Sequence, residues 1–239
     1  SKKTKAVLLG FEDAKTRLPK AKNVVVTGTP TKIKSSKLTD EEKANLRSAL
    51  MLKNELPLVL VFGGSQGARS INNAIIGIIE NKLNKNYQII WAAGKGNFEN
   101  IKQQLAEKNM DIDNIENAKI MPYIYNMQEV MENSDLVVSR SGAMTITEIS
   151  NLAKPAIFIP FPFATENHQE YNARVLEKVG AAKIILDKNL NYKNLNDTIE
   201  LMVENKEQLK EMGKKAGKIA NTNVEENIYN EIRNILSKN

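Results

Sequence analysis

Two stretches carry the residue types that can hold a phosphorylated ligand. In LVLVFGGSQG (58–67) an apolar run ends in Gly63, Gly64, Ser65, Gln66 and Gly67 and opens a helical pattern. In LVVSRSGAMT (136–145) a second run ends in Ser139 to Ala143 and does the same. Such turns expose main-chain N–H groups at a helix start, where the positive end of the helix dipole adds to their attraction for anions. Neither has the spacing of the dinucleotide fingerprint or of the phosphate loop that ends in Gly-Lys-Ser/Thr. Either alone is equally well a tight bend that needs positive φ. Two of them at the ends of parallel strands aim two helix starts at one crevice, which suits a diphosphate and removes the need for a metal.

Glu148 lies about a turn and a half into the second helix, where a carboxylate can accept hydrogen bonds from both hydroxyls of a ribose. Thr145-Ile-Thr-Glu148 also fits a capping box, which would use up the glutamate at the helix end. The two readings separate on where the helix begins: a start at Gly142 or Ala143 leaves Glu148 too far along to cap it. A third turn, Phe161 to Gln169, holds Asn167, Gln169 and the only histidine, His168. Amides donate and accept at once and so suit sugar hydroxyls, whereas a lone histidine is more often structural. In WAAGKGN (91–97) Lys95 reads as a solvated loop residue.

Strands are expected near Leu58–Phe62, Gln88–Trp91, Ala118–Met121, Leu136–Val138, Ala156–Ile159 and Ala182–Ile185, because short apolar, largely β-branched runs recur there. Helical spacing lies between them, near Arg69–Leu83, Phe98–Lys108, Met127–Asn133, Met144–Ala153 and Gln169–Val179. Alternating strands and helices with fully apolar strands predict an α/β fold, a Rossmann-like parallel sheet with helices on both faces and a ligand beyond the carboxyl ends of the strands. Ahead of it, KAVLLG and NVVVTG predict two short strands too small for a core of their own, and Thr39-Asp-Glu-Glu42 predicts a capped helix start. Leu190 to Leu236 reads as helices broken near Gly213, Gly217 and Asn221.

Composition closes off several classes. The chain of 239 residues has no cysteine and one histidine, so it can form no disulfide or thiolate site and an imidazole-rich zinc centre is not expected. No apolar run approaches the roughly 18 residues that span a bilayer. The net charge of +6 comes from lysines scattered among glutamates, with only 5% aromatic residues to stack on bases, so a solvated surface is expected and no nucleic acid partner. Lack of cysteine fits a reducing cytoplasm. The first residues have neither an initiator methionine nor a signal-peptide pattern, so the chain reads as a processed protein or a piece of something longer.

Together, GGSQGARSINNAI, SRSGAMTITEIS, PAIFIPFPFATENHQEYNA and VVVTGTP resemble the MurG family of peptidoglycan glycosyltransferases, in order and over essentially the whole chain. The resemblance implies the C-terminal half of a two-domain GT-B fold. Residues 1–30 would be the end of the acceptor domain and a linker, 31–222 the donor domain, and 223–239 a helix returning to the first domain. It implies an inverting enzyme that moves N-acetylglucosamine from UDP-N-acetylglucosamine to lipid I, making lipid II on the cytoplasmic face of the bacterial membrane. No metal or other cofactor is implied. The lipid acceptor, the membrane contact and the catalytic base belong to an N-terminal domain with no counterpart here, so the chain alone is expected to bind donor without catalysis.

The resemblance also assigns donor-binding roles. Gly142 and Ala143 would let the nucleotide approach, Met144 and Thr145 would neighbour its phosphates and base, and Glu148 would hold the ribose. Ser65 and Gln66 would approach the diphosphate and sugar. The main chain of Ile124 would read the uracil edge, and His168 and Gln169 would lie near the sugar hydroxyls. Lys32 replaces the family's arginine with a point charge, and Thr29 replaces its asparagine. Two other readings remain: a stand-alone UDP-sugar-binding module and a UDP-N-acetylglucosamine epimerase.

Overall fold

The computed structural model describes residues 4–33, 38–64, 66–221 and 223–237. Its strands are β1 (Val7–Leu9), β2 (Val24–Val26), β3 (Leu58–Phe62), β4 (Gln88–Ala92), β5 (Ala118–Met121), β6 (Leu136–Ser139), β7 (Ala156–Phe158) and β8 (Ala182–Ile184). Its helices are α1 (Asp40–Ala49), α2 (Arg69–Glu80), α3 (Lys95–Ala106), α4 (Met127–Asn133), α5 (Ala143–Asn151), α6 (His168–Lys178), α7 (Tyr192–Glu204), α8 (Lys206–Gly217) and α9 (Val224–Ser237).

Six strands form one parallel sheet in the order β5-β4-β3-β6-β7-β8. This is the Rossmann order, and it reverses between β3 and β6. Helices cover both faces, so consecutive residues of a strand point into two different apolar layers. Val59 and Val61 pack with Ile71, Ile75 and Ile78 of α2, Ile101 of α3 and Leu195 and Ile199 of α7. Leu58, Leu60 and Phe62 pack with Val130 and Met131 of α4, Ile146 and Ile149 of α5 and Leu176 of α6. Each such side chain contributes about 1.5–3 kcal/mol on full burial, and this two-sided burial is why the strands read as unbroken apolar runs.

Strand ends agree with expectation to within a residue. The α1 capping box is present: Thr39 Oγ1 accepts from the Glu42 N–H at 3.2 Å, and Glu42 Oε2 from the Thr39 N–H at 2.7 Å. Two expectations are corrected. Helix α3 starts at Lys95, three residues before the expected Phe98, because Gly94 at φ +92° turns the chain into it. Gly213 does not break a helix. The break is at Asn205, whose side chain accepts from the Gln208 N–H at 3.0 Å and caps α8. Gly213 sits inside α8 because a Cβ there would strike the carbonyl of Ala153, which lets α8 lie directly on the bend that follows α5.

Among the described residues, strands β1 and β2 form a separate two-stranded parallel sheet. Helix α9 rests on them: Asn23 Nδ2 donates to Glu231 Oε1 at 3.1 Å, and a Cβ on Gly28 would press on Val224 and Asn221. Among the described residues no helix is long and apolar enough to cross a membrane.

Gly213→Ala is expected to lower unfolding free energy by about 1–3 kcal/mol through overpacking against Ala153. Gly96→Ala in α3, where a Cβ meets nothing within 4 Å, is expected to raise it by about 0.4–1 kcal/mol. Urea midpoints at unchanged m-value check both, and equal effects would show that helix propensity rather than contact decides.

Candidate functional site

Phe62 stands in register with Ser139, so the turns leaving β3 and β6 start side by side where the strand order reverses. Open α/β sheets hold ligands there. Two cavities that share Gly64 and Thr145 occupy the place. One, of about 610 Å³, is lined by Gly64, Gly142, Arg140, Phe161, Phe163 and Gln169 among others. The other, of about 640 Å³, is lined by Lys32, Ile124, Tyr123, Tyr125, Met144 and Glu148 among others.

Helices α1, α7 and α8 begin on the side-chain caps Thr39, Asn191 and Asn205. Helices α2 and α5, which begin at the crevice, have no side-chain cap on Ala68 or Gly142, as is also the case for α3, α4 and α6 at Gly94, Asn126 and Asn167. Their first N–H groups are therefore left for an outside acceptor. Gly142 explains itself the same way. Its φ of −64° suits any residue, and a Cβ would meet nothing within 4 Å, so neither conformation nor packing within the protein requires glycine there. The space beside it is open for a ligand.

The first glycine turn is braced from behind. The Gly67 N–H donates to the Gly64 carbonyl at 3.0 Å, and Asn97 Nδ2 to the Gln66 carbonyl at 2.9 Å. Gly67 (φ +75°) would strike Ala93 with any side chain, and a Cβ on Gly94 would lie 2.8 Å from the Gly67 Cα. The 91–97 turn thus works as a buttress. Lys95, expected as a loop residue, is the first residue of α3, and its ammonium lies 5.0 Å and 5.4 Å from the ring centres of Tyr123 and Tyr125. Ser65 lies outside the described residues.

With Gly142 as the N-cap, Glu148 is the sixth residue of α5, and the capping-box reading falls. The carboxylate is half-buried in the wall of the second cavity, and its Oε1 accepts from Thr31 Oγ1 at 3.4 Å. Burial pushes its pKa up, and the Thr31 bond offsets this in part. Buried Ile124 is in the same wall, and its main-chain N–H and C=O have no hydrogen-bond partner among the described residues. Lys32 is exposed at the mouth, and Met144 is partly exposed beside Thr145.

Gln169 lines the first cavity. Its Oε1 accepts from the N–H groups of Phe161 (3.1 Å) and Ser141 (3.3 Å), which leaves the Nε2 donors for a ligand. His168 does not line either cavity; it is exposed at the start of α6 with Nδ1 2.9 Å from the Thr165 carbonyl. Sequence reasoning missed Arg140. Its guanidinium donates to the carbonyls of Ile159 (3.0 Å) and Pro160 (3.1 Å), to Asp187 Oδ1 (2.6 Å) and to Ser70 Oγ (2.9 Å). It thereby ties the ends of β6 and β7, the turn after β8 and the start of α2. The signal was an arginine between two serines at a strand end, but its partner lies 47 residues away in the chain. Among the described residues no group of three or more Asp, Glu or His could hold a metal ion.

Residues 58–229 match the glycosyltransferase family 28 C-terminal domain. The chain belongs to this family. Among its relatives is a UDP-N-acetylglucosamine–N-acetylmuramyl-(pentapeptide) pyrophosphoryl-undecaprenol N-acetylglucosamine transferase of Desulforamulus reducens, 37% identical over 100% of this chain and 63% of the relative. The enzyme of the same name from Acetivibrio thermocellus is 35% identical over 99% of this chain and 62% of its own length. The crystal structure of Acinetobacter baumannii MurG superposes with a TM-score of 0.73 at 25% identity, covering 97% of this chain and 60% of that one. The chain spans less than two thirds of the length of these relatives.

Glu148→Gln tests the buried carboxylate. A carboxyl whose pKa is raised by folding keeps its proton more firmly in the native state, so its ionisation costs stability as pH rises through and above the ordinary carboxylate range. Glu148→Gln is therefore expected to melt higher than the parent at pH 7, with the gap closing as pH falls below that range. Thermal melts across pH check this. A variant that melts lower at neutral pH would show that the Thr31 contact outweighs burial.

Proposed function

We propose that this chain holds UDP-N-acetylglucosamine as the donor side of an inverting, metal-independent N-acetylglucosaminyltransferase whose acceptor is lipid-linked muramyl-pentapeptide. The observation that carries the reading is the pair of uncapped helix starts at α2 and α5, meeting beside an open Gly142, with a half-buried carboxylate on the same helix. The diphosphate lies across the N–H groups at Gly64 and Ala68 and at Gly142 to Thr145. The ribose meets Glu148, the uracil edge meets the free main chain of Ile124, and Lys32 reaches the phosphates from the mouth. The sugar lies in the first cavity beside Gln169.

The acceptor hydroxyl attacks the anomeric carbon from the face opposite the diphosphate. The bond from that carbon to the diphosphate oxygen breaks, its electron pair leaves with UDP, and a base removes the hydroxyl proton. The two helix N-termini stabilise the charge that grows on the departing diphosphate. On this reading the base, the acceptor surface and the membrane contact belong to the part of the relatives that lies outside this span, and the reaction runs at the cytoplasmic membrane face. The names of relatives at 35–37% identity support this reading.

Calorimetry with UDP and UDP-N-acetylglucosamine tests it. Binding is expected to survive chelator, and strict dependence on a divalent ion would overturn the metal-free site. Glu148→Ala is expected to weaken UDP binding about 10- to 150-fold, the equivalent of about 1.5–3 kcal/mol for a charged hydrogen bond, with a melting temperature no lower than the parent's. In a transfer assay residues 1–239 alone are expected to move no sugar, and robust turnover would locate a base within this chain.

A further inference from the structure

A third cavity, of about 540 Å³, lies at the opposite, amino end of the parallel strands, where β3, β6 and β7 begin. The segment Asn54–Pro57 forms one wall and α8 the other, with Ser134, Asp135 and Ala153–Pro155 at the base. Its apolar lining is Leu56, Pro57, Pro155, Val203 and Leu209. On the α8 side stand Lys206, Lys210 and Lys214, spaced one helical turn apart, about 6 Å per step.

The charges of the groove do not cancel. Asp135 is taken up by the Leu58 N–H at 2.7 Å and by Arg47 at 3.4 Å. Arg47 in turn donates to Asn133 and to the carbonyls of Lys53 and Leu56. Among the described residues the ion-pair partner of Lys214 is the exposed Glu211, at 3.7 Å. Among the described residues Lys206 and Lys210 form no ion pair, and Glu55 is the remaining acid in the wall. At the base, Lys154 donates to the carbonyls of Glu132 (2.6 Å) and Ser134 (2.8 Å). Two of its three N–H bonds thus close the end of α4 and one remains. Desolvation brings its pKa down to about 8, so a facing anion would favour its charged form.

We infer that this groove binds a phosphate ester, with its phosphate between Lys154, Lys206 and Lys210 and its less polar body on Leu56, Pro57, Val203 and Leu209. Size and lining fit a small-molecule site, a mostly apolar cavity with a few convergent polar groups. The site shares no lining residue with the two crevice cavities, so it is independent of the donor reading.

Phenyl phosphate is the probe, followed by amide chemical shifts of the labelled chain. The signals of Lys154, Leu209 and Gly213 are expected to move saturably, apart from any change at Gly64 or Gly142 that reports the crevice. The double variant Lys206→Ala/Lys210→Ala is expected to weaken this at least tenfold with its melting temperature unchanged, and inorganic phosphate is expected to bind more weakly than the ester. No saturable shift in the groove, or equal binding by the double variant, would overturn the site. Co-sedimentation with phosphatidylglycerol vesicles separates the sources: vesicle binding lost in the double variant assigns the phosphate to a lipid headgroup, and no vesicle binding with intact phenyl phosphate binding assigns it to a free ester.

Discussion

The register between Phe62 and Ser139 is the constraint on which the rest depends. Two parallel strands, adjacent in space and far apart in sequence, run out of the sheet in the same direction at the same height. Their chains then diverge into helices on opposite faces, α2 to one and α5 to the other. The gap that opens between them is bounded by two helix starts whose dipoles converge. Nothing else in the fold needs to be polar to attract an anion there, and the sheet can remain apolar to its last residue.

Around that gap the molecule separates rigid support from open contact. Gly67 and Gly94 are closed positions: their φ is positive and their neighbours leave no room for a side chain. Gly64 and Gly142 face empty space. Behind the first pair, Asn72 Nδ2 bonds the Ala93 carbonyl at 2.9 Å and Asn72 Oδ1 accepts from Trp91 Nε1 at 3.1 Å, so the buttress is anchored in the core. Arg140 does the same for the far side. Removing a partner from such a partly buried ion pair leaves the other charge without its main compensation.

The sheet was legible because two-sided burial writes itself as uninterrupted Val, Ile and Leu, and the glycine turns were legible because they follow those runs directly. Gly213 misled because propensity weighs a glycine against helix, whereas here contact with Ala153 outweighs propensity. The start of α5 left Glu148 ambiguous in the sequence, since Thr145 and Gly142 both offer a helix start, and only the main-chain angles choose. Arg140 with Asp187, Thr31 with Glu148, and the lysine groove all join segments that have no local signal to connect them. Their pairing is a product of the topology alone.

The contact between Thr31 and Glu148 has a kinetic side. A half-buried carboxylate with no partner would be a poor receiver, prone to keep its proton and to resist drying. Here the hydroxyl of Thr31, at the start of the proposed donor domain, bonds the carboxylate that the proposed ribose would meet. The incoming sugar has only to displace a weak placeholder of its own chemical kind, two hydroxyls succeeding one, and the carboxylate passes between hydrogen-bonded states without standing bare. On the proposed donor reading the same exchange frees residue 31, and the chain leading from β2 into the domain gives up one of its tethers.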